Sequence, residues 1–94
     1  MSKQMLFSNH WNVRVSDPGE EGNVNHFFET VYLTLTAETQ NGKTIYEFIR
    51  KVEDEIKIER QFDQVDLLFE FLGEYLSPVS LGNVGVKIGQ LGLA

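Results

Sequence analysis

The side chains best able to do chemistry in this sequence are carboxylates, and they occur in groups. Asp66, Glu70 and Glu74 recur at intervals of four residues, with Asp63 just before them. This spacing predicts a row of acids along one side of a helix, where each like-charged pair costs about 0.2–0.5 kcal/mol. Since no base lies within this segment to offset the cost, we interpret the acidic row as a functional surface. The alternative is that the acids only keep the helix soluble.

Two apolar residues accompany the acidic row. Leu67 and Phe71 lie four residues apart, on the flank between the acids and the core side of the same helix. An apolar pair beside charged residues is typical of a protein-binding surface. We therefore predict a protein partner with a basic or mixed basic and apolar surface. The predicted partner-binding residues are Asp63, Asp66, Leu67, Glu70, Phe71 and Glu74.

Nucleic-acid mimicry is a sharper form of the same hypothesis. Carboxylates one helical turn apart are separated by about 5–6 Å, close to the spacing of phosphates along a strand. A small acidic inhibitor or immunity factor could use such a row to occupy a basic site built for DNA.

A second group of acids, Asp17, Glu20 and Glu21, falls in a segment rich in turn-forming residues. It resembles a calcium loop only superficially, because Gly19 and Phe28 stand where that loop requires oxygen ligands. We expect a secondary acidic loop between two strands, without a bound metal.

The remaining residue types offer little for catalysis. The chain has no Cys, and its serines lie in no nucleophile motif. His10 and His26 begin consecutive strands, so antiparallel pairing would place them far apart. Glycine-rich phosphate-binding loops are absent. We predict no enzymatic activity and no cofactor.

Composition and charge narrow the classes further. The 94 residues suffice for a single domain spanning 1–94, and 41% of them are hydrophobic. A net charge of −6 argues against direct binding to nucleic acid or an anionic membrane. The opening residues are too short a run for a secretory signal, and no stretch is apolar enough to span a membrane. We expect a cytoplasmic protein.

Alternation of apolar and polar residues predicts the first strands. Trp11, Val13 and Val15 alternate with polar residues, and a second strand spans residues 26–38. Trp11 is expected in the core, with a partly exposed interface residue as the alternative. Asn41-Gly42 indicates a type I′ hairpin turn, which predicts a third strand.

Residues 44–60 permit two interpretations. The spacing of Ile45, Phe48, Ile49, Val52 and Ile56 fits one helix, and Thr44 with Glu47 fits a capping box. The alternative is two strands, residues 43–51 and 55–61, with a turn at residues 53–54. We favour strands, since a long strand before Asn-Gly predicts a returning strand.

The rest of the chain predicts one main helix and a tail. Asp63 is placed to cap a helix whose apolar side includes Leu68 and Leu72, and which ends before Ser77-Pro78. The Gly-rich apolar tail, residues 82–94, alternates as a short edge strand and could pair with a second copy in a homodimer. The expected fold is α+β: an antiparallel meander of three to five strands with one main amphipathic helix on one face. Besides the protein-binding module, a structural homo-oligomer assembled through the tail and a small-ligand binder remain alternatives.

Overall fold

The computed structural model describes residues 3–18 and 24–92. Four strands form an antiparallel sheet in the order β1-β2-β3-β4, with β1 at Gln4–Pro18, β2 at Val24–Gln40, β3 at Lys43–Val52 and β4 at Glu55–Phe62. Two helices follow the strands, α1 at Val65–Leu72 and α2 at Pro78–Gln90. The predicted α+β class and the antiparallel meander are confirmed, whereas the prediction of one main amphipathic helix is not confirmed, because the structure has two helices.

Strand β2 shows most clearly how alternation builds the sheet. Its buried side chains are every second residue, Val31, Leu33, Leu35 and Ala37, whereas Tyr32 on the opposite face is 40% exposed. This period of two is what a strand buried on one face requires. The predicted second strand is therefore confirmed, with one buried and one exposed face.

Two tight turns set the register of the later strands. Asn41 and Gly42 have φ angles of 53° and 79°, as the predicted type I′ turn demands. Glu53, in the β3–β4 turn, also has a positive φ. Its backbone N–H donates to the Thr30 carbonyl at 2.8 Å, and its Oε1 accepts from the Thr30 N–H at 3.1 Å. The favoured two-strand interpretation of residues 44–60 is confirmed, and the helical alternative is wrong because β2 offers a complete pairing edge to β3.

Helix α1 is shorter than predicted and begins differently. Its N-cap is Gln64, which makes no side-chain capping bond, and the helix ends at Leu72. The prediction that Asp63 caps this helix is wrong, since the Asp63 carboxylate lies 3.4 Å from the Lys43 ammonium. Leu68 and Leu72 are fully buried against the sheet, so the predicted apolar side of the helix is the one that packs.

Residues 82–90 of the Gly-rich tail belong to α2, and the predicted edge strand is wrong, while residues 93–94 lie outside the described residues. The Ser77 hydroxyl accepts a hydrogen bond from the Ser80 N–H, and Pro78 occupies the first helical turn. A proline there pre-sets the helical φ angle and removes a donor that would have no partner. The same Ser-Pro pair therefore starts α2, where we had expected only the end of the preceding helix.

Burial against the sheet decides between helix and strand in this segment. Val84 and Ile88, four residues apart, are buried, whereas Val86 between them is 59% exposed. A strand would instead have placed all three side chains on one face. The core joins both helices to one face of the sheet, where Leu35 and Phe48 contribute the central side chains.

The helices cover only part of the sheet. Strands β1 and β2 continue past the Val31–Val52 pair, the last pairing of β2 with β3, as a two-stranded ribbon. The structure is elongated accordingly, with extents of 60 × 26 × 18 Å. Trp11, at the base of the ribbon, is 37% exposed. The predicted core location of Trp11 is wrong, because neither helix reaches that end of β1.

Neither described helix is long and apolar enough to cross a membrane.

Candidate partner-binding surface

The predicted partner-binding residues fall into two groups in the structure. Asp66, Leu67 and Glu70 are exposed on the outer side of α1, and Leu67 is 50% exposed. Glu74 lies just past the end of the helix, in the turn that leads to α2, and is also exposed. Asp63 precedes the helix and is held beside Lys43. Asp66 and Glu70 therefore lie in a row along α1, whereas Glu74 follows beyond the end of the helix and Asp63 is set apart by its ion pair.

An open groove of about 770 Å³ runs between α1 and β4. One wall carries three of the predicted residues, Leu67, Glu70 and Glu74. The opposite wall is four consecutive residues of β4, from Lys57 to Arg60. Consecutive residues of a strand point to alternate faces, so the groove opens along the free edge of β4. The predicted surface is thus one wall of a groove, and the sequence did not reveal the other.

The floor of the groove is aromatic and is built around Phe71. Its ring lies 5.0 Å from the rings of Phe48 and Tyr75 and 5.2 Å from that of Phe62, measured between centroids. These separations fall within the range in which aromatic pairs attract each other. Phe71 was expected beside the acids as a contact residue. In the structure it lines the floor of the groove and also joins that floor to the core.

Arg60 adds a positive charge above this floor. Its guanidinium carbon lies 5.4 Å from the centre of the Phe71 ring, within range of a cation–π interaction. The position of Arg60 follows from the short connection between β4 and α1, which keeps the strand and the helix adjacent. Reading the strand and the helix together, and not the helix alone, would have predicted this basic wall.

The charges around the groove differ in whether they are paired. Lys57 Nζ lies 3.1 Å from Glu55 Oε2, which partly neutralises the strand wall. Within residues 3–18 and 24–92, no ion pair involves Asp66, Glu70 or Glu74. Glu70 and Glu74 line the groove, and together with Asp66 on the outer side of α1 they make this surface an attractive site for a cationic group.

The other predicted features lie elsewhere. Glu20 and Glu21 are outside the described residues, and for Asp17 only the backbone at the end of β1 is described. His10 pairs with Tyr32 and His26 with Ser16, so the two histidines occupy separate positions along the ladder. In the part of the chain that the structure describes, no three potential ligands cluster in a way that could hold a metal ion.

One titratable group in the core is perturbed by burial. Tyr46 is 1% exposed beneath the helices, and desolvation raises the pKa of its phenol above the usual value. Neither Tyr46 nor a histidine lines the groove. Its altered pKa is therefore a consequence of packing and is not part of the candidate site.

Comparison with known proteins assigns the whole chain to one family. The model of a family of unknown function, DUF5377, matches residues 1–94. The chain belongs to this family. An uncharacterised protein of Haemophilus influenzae strain Rd is 62% identical over 45 residues, which cover 48% of this chain and 94% of the relative. No solved structure matches the chain significantly.

Proposed function

We propose that this DUF5377 protein is a non-catalytic regulatory or inhibitory protein that binds a protein partner through α1 and the adjoining groove. The observation that carries the proposal is the combination on one surface of half-exposed Leu67 with the unpaired carboxylates of Asp66, Glu70 and Glu74. Interfaces typically place an apolar anchor at the centre and charged groups around it.

Charge complementarity defines the partner. Three carboxylates that form no ion pair within the described residues favour a partner that brings Lys or Arg side chains to α1. Leu67 and the aromatic floor around Phe71 favour an apolar side chain beside those bases. The proposed partner is accordingly a cytoplasmic protein with a mixed basic and apolar surface.

The same geometry favours a conventional protein contact over extensive mimicry of DNA. Helix α1 has eight residues, a length of about 12 Å at 1.5 Å per residue. It can imitate no more than a few phosphates, and the opposite wall of the groove carries the positive charge of Arg60. The binding experiment must therefore distinguish nucleic-acid mimicry from a conventional protein contact.

Two features support a binding role in preference to catalysis. Among the described residues, the only buried side chain with a titratable group is that of Tyr46, and it does not line the groove. Active sites commonly hold such groups, because burial tunes their pKa values for acid–base work. The groove is also open along its length, which suits a segment of protein better than an enclosed small ligand.

The test compares protein capture by three forms of the chain. Asp66→Lys/Glu70→Lys/Glu74→Lys reverses the acidic row, while Glu29→Lys/Glu38→Lys/Asp54→Lys makes the same change of charge away from α1. All six acids lie on the surface or are partly exposed, so both variants should fold, which circular dichroism checks. We expect a protein captured from a lysate of the source organism by the wild type and the control variant, but not by the α1 variant. Equal capture by all three forms would refute the proposal.

Salt and DNA competition then define the kind of contact. Binding that falls steeply with added salt and is displaced by duplex DNA would identify a DNA-mimicking inhibitor. Binding that resists duplex DNA and is weakened in Leu67→Ala would identify the conventional interface that we propose. Because Leu67 is half exposed, its truncation should weaken binding without unfolding the chain.

A further inference from the structure

The two edges of the sheet differ sharply in how they are protected. The edge strand β4 has eight residues and carries the charged side chains Glu55, Lys57, Glu59 and Arg60. The other edge strand, β1, has fifteen residues and carries only Arg14 and Asp17 as charged side chains. Natural sheets keep edges from pairing by making them short or charged. By that criterion β4 is protected and β1 is open to pairing.

Apolar side chains also remain uncovered along β1. Trp11 and Val13 are 37% and 39% exposed, on the same face as Phe7 and Val15. A register irregularity between Met5 and Phe7 ends the regular part of the strand at one end. The regular, nearly uncharged stretch that begins and ends with a side chain of this apolar face is therefore residues 7–15, whose centre is Trp11.

We propose that the protein forms a two-fold symmetric homodimer in which β1 of one copy pairs antiparallel with β1 of the other, centred on Trp11. This pairing would join the two sheets into one of eight strands. It is independent of the surface on α1, which lies at the opposite edge of the sheet.

A second copy of this chain fits the edge of β1 because residues 7–15 are self-complementary when they pair antiparallel. Antiparallel pairing about Trp11 places Phe7 opposite Val15 and Trp11 opposite its own copy, so apolar side chains meet on one face. On the other face Arg14 meets Ser8. Like charges do not oppose one another anywhere in this stretch, and a symmetric dimer requires this kind of self-complementary surface.

The dimer would also support the ribbon of β1 and β2. A two-stranded ribbon is at best marginally stable in water, and beyond Val31 the other side of β2 has no pairing with β3. In the proposed register, residues 11–15 of one copy pair with residues 7–11 of the other. The base of each ribbon would then have three strands and a covered Trp11.

The net charge of −6 does not oppose this arrangement strongly. The unpaired acids of α1 lie near β4, which is three strands from β1, or about 14 Å at the usual strand spacing of about 4.8 Å. At physiological ionic strength, repulsion is screened over about 8 Å. The two acidic surfaces would therefore face away from each other and interact weakly.

A charge-exchange experiment tests the proposed register. Asn9 and Val13 lie opposite each other across the two-fold axis, and both are exposed in the single chain. In Asn9→Lys/Val13→Lys each lysine would face another lysine, and in Asn9→Glu/Val13→Glu each carboxylate would face another. We expect a wild-type mass of twice 10.8 kDa by sedimentation equilibrium. Each variant alone should dissociate at least about tenfold more readily, whereas an equimolar mixture of the two should restore the dimer.

A matched control adds the same charge elsewhere. Ile56→Lys/Val86→Lys changes half-exposed residues of β4 and α2, and it should remain dimeric. Trp11 is the only tryptophan, so its fluorescence should shift to longer wavelength as the wild type is diluted and dissociates. A monomeric wild type, a lysine variant as dimeric as the wild type, or a mixture that fails to pair would overturn the proposal.

Discussion

The helical conformation of the Gly-rich segment can be tested by replacing its glycines. Gly82 lies inside α2, and a methyl group added there would meet no other atom within 4 Å. At Gly85 the added methyl would lie 3.8 Å from the Phe69 ring, which is an ordinary contact. Neither residue has a positive φ angle. Alanine should therefore be accommodated at both positions without strain.

The expected gain follows from the backbone entropy of glycine. Glycine in a helix interior is less favourable than alanine by about 0.5–1 kcal/mol. The variant Gly82→Ala/Gly85→Ala should therefore gain about 1–2 kcal/mol in the free energy of unfolding. In a domain of this size, each kcal/mol raises the melting temperature by about 4–8 °C.

The same substitution at Gly42 should act in the opposite direction. Gly42 has a φ of 79° in the β2–β3 turn, where an alanine costs about 1–2 kcal/mol because of its Cβ atom. The variant Gly42→Ala should therefore melt several degrees below the wild type. The two variants differ from the wild type only in added methyl groups, so they separate the effect of local conformation from that of composition.

Thermal melts followed by circular dichroism at 222 nm measure both effects. The helix variant should melt higher and show an undiminished or stronger helical signal. If Gly82→Ala/Gly85→Ala lowered the melting temperature, residues 78–90 would not form the helix described above. If Gly42→Ala did not lower the melting temperature, the assignment of a type I′ turn would be wrong.

Two further predictions concern the core. Leu68→Ala should lower the free energy of unfolding by about 2–5 kcal/mol, because Leu68 is fully buried. The neighbouring Leu67→Ala, at a half-exposed position, should cost much less, and equal costs in urea titrations would contradict the packing of α1. Burial raises the pKa of Tyr46, so the folded state holds this proton more tightly than the unfolded state, and stability should fall as pH rises above about 10. Tyr46→Phe should lose less stability over that range, and an identical decline in both proteins would show that another group is responsible.

The strands were predictable because their signals are local. Alternating burial along β2 and the Asn41-Gly42 turn are encoded by neighbouring residues. The choice of two strands for residues 44–60 also followed from the turn, which directs β3 back along β2. The sequence thereby determined the antiparallel meander without knowledge of any distant contact.

The helices were predicted less well because their signals were ambiguous. Ser77-Pro78 is compatible with the end of one helix and with the start of the next. Val84, Val86 and Ile88 fit a strand by alternation, and only their packing against the sheet buries the first and third while leaving the second exposed. Local periodicity over so few residues cannot distinguish these alternatives.

The candidate site also combines features that the sequence determined with features that only the tertiary structure decided. The spacing of Asp66 and Glu70 by itself determined that these two acids share one side of α1, because residues four apart lie on one side of a helix. Glu74 has the same spacing, but the helix ends before it at Leu72. Only the tertiary structure placed Arg60 over Phe71 and turned one side of a helix into a groove beside β4. It likewise left Trp11 37% exposed, because the helices pack over the other end of β1. Spacing along the chain fixes which side chains share a face, whereas what covers that face depends on packing between elements distant in sequence.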